Sequence, residues 1–374
     1  MKTRVDKDTL TILEDSLLEA LPEIIDLEVA SDEEVAQAYT RLLEQVQPEL
    51  EEDTMSTYRK AAPKALKKIR KQLRGFEKRS FSRWKPAFDH IEMMWSIAQE
   101  LGEMHAADIA EEGGEDNNVI MAALAHIFPR ALLVTQEVIC LLKGGFPDGA
   151  LARWRSLHEL CVTAMYIAKH GEEAALRYLL SFHFSARRAA KQVNEHADRA
   201  NLKRFTDEEM AEFDALCASA EIAIGRKIPK DKFGEWPAIT GTHPNFAEIE
   251  KNVGMDHWRP RYKWASSHTH ANHKPIGTLL GMAETTTFVN LVGASNSGFV
   301  DPFLMTSITL SQITTTFLLI APNPDRLVHA NVMLRLADEM QTIAVETEKV
   351  TREAFDAVKP SRTSAPNSAA SKSK

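Results

Sequence analysis

Residues 119–142 read VIMAALAHIFPRALLVTQEVICLL, and this stretch decides the class of the fold. Its apolar side chains recur every three or four residues, which is the spacing of one face of an α-helix rather than the alternation of a strand. Residues 144–147, GGFP, then end the helix, because glycine and proline interrupt helical backbone. Similar spacing recurs on both sides, so the sequence predicts an all-α fold: a multi-helix bundle core with an N-terminal helical extension and a long C-terminal helix.

Composition and helix-breaking residues divide the chain into predicted regions. Residues 1–110 are predicted to form a charged N-terminal helical region, which a polar, glycine-containing loop separates from the rest. Residues 119–322 are predicted to form the helical core domain. A C-terminal helix is predicted over residues 325–358. The low-complexity tail, residues 359–374, has too few apolar side chains to fold and is predicted to be disordered.

Charge is spread unevenly along the N-terminal region. The formal net charge of −8 argues against a protein whose whole surface coats nucleic acid or an anionic membrane. Residues 59–85, however, are rich in lysine and arginine. Such a run could bind phosphates along a helix, or it could be a solvated face that pairs with the acidic helices before it. The nearby acidic residues favour the second interpretation, and both stay open.

Several features predict a cytoplasmic protein that makes no contact with a membrane. The N-terminus, MKTRVDKDTL, has no apolar core of the signal-peptide type. Cys140, Cys161 and Cys217 are too few and too widely spaced for a disulfide framework or a thiolate zinc site, and their apolar neighbours predict buried thiols. Residues 302–324 carry no charge and are long enough to span a bilayer. Threonine, serine and glutamine interrupt them repeatedly, which favours a buried helix of a bundle.

The helix after Asp148 places ionisable groups on a partly buried face. At about 100° per residue, His158 falls on the apolar face, with Arg155 and Glu159 at its edge. Arg153 points to the opposite side. Unpaired buried charge is costly, so these groups either pair with one another or bind something. We therefore name Arg155, His158 and Glu159 as candidate catalytic residues, with pairing as the alternative.

A second polar cluster lies in the sequence RYKWASSHTHANHKPIG, residues 261–277. Tyr262, Ser266 and His270 are spaced i, i+4 and i+8, which predicts one stripe on a helix ending before the proline. Tyr262 and Ser266 are candidate ligand-binding residues, and His270 is a further catalytic candidate. His268 and His270 would point roughly 200° apart on a helix, and no carboxylate accompanies them at ligand spacing. No metal or other cofactor is predicted.

Residues of about 128–281 resemble a family of bacterial helical proteins, domain-of-unknown-function family 5677. The resemblance rests on a G-[FY]-x-x-x-A turn at residues 145–150, an R-S-L-x-E helix at 155–159, and Y-x-x-x-S-x-x-x-H at 262–270. It implies an all-α fold in which five side chains lie near one another. These are Arg155, Glu159, Tyr262, Ser266 and His270. It implies no activity, because the family has none assigned.

A second resemblance is to the HEPN superfamily of helical ribonucleases and toxins, which place R-x(4–6)-H on a helix. Arg153 and His158 have that spacing. The resemblance implies a homodimer that cleaves RNA without metal, in bacterial stress or phage defence. An imidazole would move a proton while a guanidinium stabilises the phosphorane charge. Against it, Arg177 and His183 fit the same pattern, and Arg153 would point roughly 140° away from His158.

Three functions therefore remain open at the level of sequence. The first is a binding or effector module whose helical core holds a polar pocket for a small anionic or nucleotide-like ligand. The second is the metal-independent ribonuclease, with RNA as its substrate. The third is a scaffold that docks a partner through its N-terminal helices. The chain has no P-loop, no G-x-S-x-G and no dinucleotide-binding glycine motif, so other enzyme classes find little support.

Overall fold

The computed structural model describes residues 17–26, 28–111, 119–232, 236–271, 273–284 and 291–358. Within these ranges the backbone forms ten α-helices, short 3-10 turns and loops, with no strand. The predicted all-α class is confirmed. The helices are α1 Asp32–Glu111, α2 Val119–Lys143, α3 Pro147–His170, α4 Glu172–Ala200, α5 Asp207–Ile224, α6 Trp236–Thr240, α7 Phe246–Asn252, α8 Arg259–Ser266, α9 Val300–Leu318 and α10 Pro324–Val358.

The chain divides into two compact units, Met1–Gly75 and Phe76–Lys374. The division falls inside α1, so residues 76–111 of that helix belong to the second unit, where Trp84, Phe88 and Met94 join the hydrophobic core. The polar loop expected between the N-terminal region and the core lies mostly at residues 112–118, outside the described residues, as does the tail from residue 359. The predicted domain boundaries stay a prediction.

In the second unit, α9 packs against α2, α3 and α10, and α2 packs against α3. The turn between α2 and α3 depends on Gly145, which has a φ of +83°. A Cβ atom there would lie 2.5 Å from the Phe76 ring and 2.8 Å from the carbonyl oxygen of Ser295. Only glycine fits this approach, which explains the glycine in the turn that starts α3.

A break in the helical geometry of α1 lies against the aromatic part of this core. Trp84 leaves helical geometry, with φ −98° and ψ 15°. Pro86 follows two residues later, and a proline inside a helix removes one donor and crowds the preceding turn. The Trp84 ring stacks on Phe299 with ring centres 5.1 Å apart, and its indole nitrogen donates to the carbonyl oxygen of Asn296 over 2.8 Å. The break therefore positions a large side chain in the core.

The uncharged C-terminal segment is a core helix in the structure. Most residues of α9 are buried. Several of its polar side chains donate to backbone carbonyl oxygens of their own helix, as the Thr309 hydroxyl does to Met305 and the Thr314 hydroxyl does to Leu310. Among the described residues, only α2 is long and apolar enough by composition to span a bilayer, and 44% of its most apolar window is buried inside the protein. A core helix meets the same criterion.

The cysteines differ in one respect from expectation. Cys161 and Cys217 are buried, as predicted, but Cys140 is exposed. That prediction is wrong for Cys140 because its apolar sequence neighbours lie on other faces of α2. Burial raises the pKa of Cys161 to about 12, so this thiol stays protonated.

Candidate functional site

Helices α3 and α8 bring three of the sequence-predicted residues together. The Nε atom of Arg155 donates to Oε1 of Glu159 over 3.0 Å. The hydroxyl of Tyr262 donates to the same oxygen over 2.6 Å, and the Arg155 guanidinium lies 5.0 Å from the centre of the Tyr262 ring. A cation at this distance from an aromatic ring is attracted by its quadrupole. Two distant stretches of the chain thus meet at one Glu159 oxygen.

The local sequence explains why these groups meet at the edge of α3. Arg155 and Glu159 are one helical turn apart, so their side chains are neighbours on the helix surface. The adjacent Trp154 and Leu157 are buried and fix the rotation of α3 against the core. Tyr262 is buried on α8, which packs against α3. The tyrosine ring therefore lies under the charged edge of α3.

Glu250 and Arg259 complete the cluster, and sequence reasoning missed both. Glu250 lies on α7 with its side chain fully buried. It accepts a hydrogen bond from Nε2 of His158 over 2.8 Å and a second from Arg259. The Arg259 guanidinium lies 5.0 Å from the Tyr262 ring centre. Glu250 follows Phe246-Ala247-Glu248-Ile249 in an ordinary amphipathic pattern, so nothing in the sequence marks it as a buried acid.

The cluster has a sealed inner half and an exposed outer half. The side chains of His158 and Glu250 are 0% exposed. Those of Arg155 and Glu159 are 30% and 40% exposed, and that of Arg259 is 31% exposed. Two guanidiniums balance two carboxylates, which lowers the cost of burying this much charge. We call these five residues together with Tyr262 the Tyr262 cluster.

Burial and hydrogen bonding also affect the titration of the tyrosine. Burial, together with the Glu159 carboxylate that accepts its hydroxyl, raises the pKa of Tyr262 to about 12. An ionised phenol beside that carboxylate would place two negative charges at hydrogen-bond distance. The hydroxyl is therefore a hydrogen-bond donor throughout the physiological range.

The residues of the HEPN pattern lie apart from each other. His158 is fully buried and faces Glu250. Arg153 forms an ion pair with Glu137 of α2, and its guanidinium also donates to Ser156 over 3.2 Å. In this structure an RNA phosphate could not reach the imidazole, and the arginine is engaged on the other side of α3.

Ser266 and His270 do not join the Tyr262 cluster. Ser266 donates to the backbone carbonyl of Tyr262 over 2.8 Å, a bond within its own helix. Helix α8 ends at Ser266, so the expected stripe does not extend to His270. His270 is exposed in the turn region that follows, and none of its described contacts connects it to the cluster. Its role as a site residue stays a prediction.

His268 lies in a different polar cluster at the start of α3. Its Nδ1 atom lies 3.2 Å from a carboxylate oxygen of Asp148, and the Lys274 amine lies 2.7 Å from its Nε2 atom. Asp148 also accepts the backbone N–H groups of Leu280 and Gly281. Burial lowers the pKa of both His268 and Lys274. Among the described residues, no group of three His, Cys, Asp or Glu side chains is arranged to hold a metal ion.

Tyr262→Phe tests the bond to Glu159. We expect the free energy of unfolding at neutral pH to fall by about 1–2 kcal/mol, because a hydrogen bond to a charged acceptor is lost. The folded pKa of Tyr262, about 12, lies above the unfolded value near 10. The stability that the hydroxyl contributes is therefore complete below pH 10 and is lost as the pH rises toward 12.

Urea denaturation of both proteins across this pH range measures the difference. The difference in the free energy of unfolding between wild type and Tyr262→Phe should disappear between pH 10 and 12. Tyr58→Phe is the control, because the Tyr58 side chain is exposed. A gap that is absent at neutral pH, or that does not change with pH, would contradict the assigned bond.

Comparison with known proteins finds a family model that matches the part of the chain that holds this site. The all-α fold and the pairing of α3 with α8 agree with the resemblance described above, and residues 121–286 match the model of the Family of unknown function (DUF5677). The matched part, less than half of the chain, contains all six residues of the Tyr262 cluster. Neither the search of curated proteins nor the search of solved structures found a match. This match carries no activity with it.

Proposed function

We propose that the protein is a binding module that recognises a small anionic ligand through Arg155 and Arg259. The observation that carries this proposal is that both guanidiniums lie 5.0 Å from one ring, that of Tyr262, while a separate carboxylate anchors each of them. Guanidiniums held in this way need no reorganisation to bind an anion. Preorganised donors bind more tightly than mobile ones.

Donor capacity supports the proposal. An arginine side chain carries five N–H donors. The bond from Arg155 to Glu159 uses Nε, and the bond from Arg259 to Glu250 uses one terminal nitrogen. Both side chains are about one-third exposed. Most of their donors therefore remain for a ligand, and the planar fork of arginine matches the oxygens of a carboxylate or phosphate.

The position of Glu159 limits the ligand class. Its carboxylate is 40% exposed beside Arg155 and would repel a second negative group. We therefore expect a compact ligand with one phosphate or carboxylate rather than a polyanion such as RNA. The buried His158–Glu250 pair lies behind this surface and holds Arg259 in place. Its contribution is to position the guanidinium.

Isothermal titration of the full chain with adenosine 5′-monophosphate and inorganic phosphate tests the proposal, with adenosine as the uncharged control. Arg155→Lys and Arg259→Lys keep the charge but lose the fork, so we expect each to weaken binding by about tenfold or more. Arg153→Lys, on the other side of α3, should bind like wild type. Circular dichroism verifies that each variant is folded. No binding of either anion to wild type, or equal losses in all three variants, would overturn the proposal.

The other functions receive less support. A ribonuclease would need His158 within reach of a phosphate, and its complete burial leaves this alternative without a supporting observation. The ribonuclease alternative would regain support if the wild type degraded RNA in the host cell and a His158 variant did not. A scaffold role would depend on the N-terminal unit, and no residue of the Tyr262 cluster lies in that unit.

A further inference from the structure

A part of α1 in the N-terminal unit combines strong positive charge with exposed apolar side chains. Between Thr54 and Gly75 the sequence contains no acidic residue. It contains eight basic ones, namely Arg59, Lys60, Lys64, Lys67, Lys68, Arg70, Lys71 and Arg74. We call this stretch the basic segment. At 1.5 Å per residue it is about 33 Å long.

The acidic residues before the basic segment pair with little of its charge. Within the described part of the chain, the basic segment has one ion pair, between Arg59 and Glu52 at 3.8 Å. All eight basic side chains are exposed. Pairing with the preceding acidic stretch was one of the two interpretations that the sequence left open. Among the described contacts, only the Arg59–Glu52 pair supports it.

The apolar side chains of the basic segment lie on one face and are exposed. Met55, Tyr58, Leu66 and Leu73 are 45%, 60%, 43% and 46% exposed. At about 100° per residue these four fall within roughly 80° of one another, and the mean direction of the basic residues at positions 60, 64, 67, 71 and 74 lies roughly 150° away. The helix is thus amphipathic, with an apolar face that stays exposed among the described residues.

We propose that the basic segment binds an anionic membrane surface, with its apolar face in the headgroup region and its lysines toward the phosphates. A basic amphipathic helix with low overall hydrophobicity lies in the membrane interface in this way. Nucleic acid would use the lysines alone and leave the apolar face in water. A second copy of the segment could cover the apolar face, but it would leave the lysines of both copies turned outward without an anionic partner. An anionic membrane surface provides an apolar environment for the apolar face and phosphates for the lysines.

This proposal revises the expectation of no membrane contact, which rested on the total charge and on the lack of a spanning segment. The positive charge is local, whereas the whole chain carries −8. The rest of the surface is therefore repelled by anionic lipid, which would confine contact to the basic segment. The binding is peripheral and depends on salt.

Co-sedimentation of the full chain with vesicles tests this proposal. The vesicles contain phosphatidylcholine alone or seven parts phosphatidylcholine to three parts phosphatidylglycerol. Wild type should bind only the second kind, and less at high salt. Each lysine near an anionic surface contributes about fivefold to the partition coefficient, so Lys64→Gln, Lys67→Gln and Lys71→Gln together should reduce binding by about a hundredfold. The control replaces three exposed lysines elsewhere, at positions 203, 227 and 251.

A second variant separates the membrane from a nucleic-acid partner. Leu66→Ser with Leu73→Ser keeps every charge and removes apolar area, so we expect at least about a tenfold loss of vesicle binding. Binding of a thirty-nucleotide uridine RNA, measured by fluorescence anisotropy, should be weak and unaffected by this variant. The proposal is overturned if wild type ignores the anionic vesicles, if the control loses as much as the lysine variant, or if the leucine variant binds vesicles like wild type.

Discussion

Replacing Glu250 with alanine is expected to lower the free energy of unfolding by about 2–4 kcal/mol, because it leaves the buried His158 imidazole without its acceptor, removes the ion-pair partner of Arg259 and opens a cavity. Glu250 is fully buried and accepts hydrogen bonds from both His158 and Arg259. Without it, Nε2 of His158 becomes a buried donor with no acceptor. The Nδ1 atom of the same ring already has no partner among the described residues. The imidazole is fully buried, so water cannot replace the lost hydrogen bond.

Urea denaturation monitored by circular dichroism measures this effect. Glu248→Ala is the matched control, because Glu248 lies on the same short helix with an exposed side chain. It should change the free energy of unfolding by less than about 0.5 kcal/mol. If the two variants lost similar stability, Glu250 would not be the centre of a buried network.

Gly298→Ala is expected to cost about 3 kcal/mol or more, from a steric clash added to an unfavourable backbone conformation. Gly298 has a φ of +76°. A Cβ atom there would lie far inside contact distance of the carbonyl oxygen of Leu280. That oxygen belongs to a turn which Asp148 holds from the other side through two backbone N–H groups. The turn cannot move away from residue 298 without losing those two hydrogen bonds.

Gly254→Ala isolates the contribution of the clash. Gly254 has the same φ of +76°, and a Cβ atom there would meet nothing within 4 Å. It should cost about 1 kcal/mol, the usual penalty for an alanine at positive φ. The difference between the two variants, measured by chemical denaturation, is then the steric term. Equal losses would show that the 280–298 approach is not tightly packed.

Local spacing was enough to predict most of the helices. Residues 119–142 were predicted as a helix, and α2 covers Val119–Lys143. Residues 144–147 were predicted to end that helix, and α2 ends at Lys143. The prediction failed at α8, which ends at Ser266 although the i+4 pattern continues to His270. Spacing describes which residues would share a face but does not state where the helix stops.

The site was predictable only in part, for a physical reason. The Arg155–Glu159 pair is separated by one turn, so helical geometry alone places the two side chains together. The contact with Tyr262 joins residues more than one hundred positions apart and was expected only from the family resemblance. Glu250 and Arg259 belong to short helices in a region rich in proline and glycine. Their pairing depends on tertiary packing, which no local pattern encodes.

The most direct measurement of anion binding at the Tyr262 cluster is an NMR titration of the full chain carrying 15N-labelled arginine. The Nε–Hε resonances of Arg153, Arg155 and Arg259 are assigned with the three arginine-to-lysine variants. Addition of adenosine 5′-monophosphate should shift the Arg155 and Arg259 resonances along one saturable curve and leave Arg153 unmoved. If Arg155 and Arg259 stayed in place, or if Arg153 moved as much as they did, the two guanidiniums around Tyr262 would be a structural network and not a ligand site.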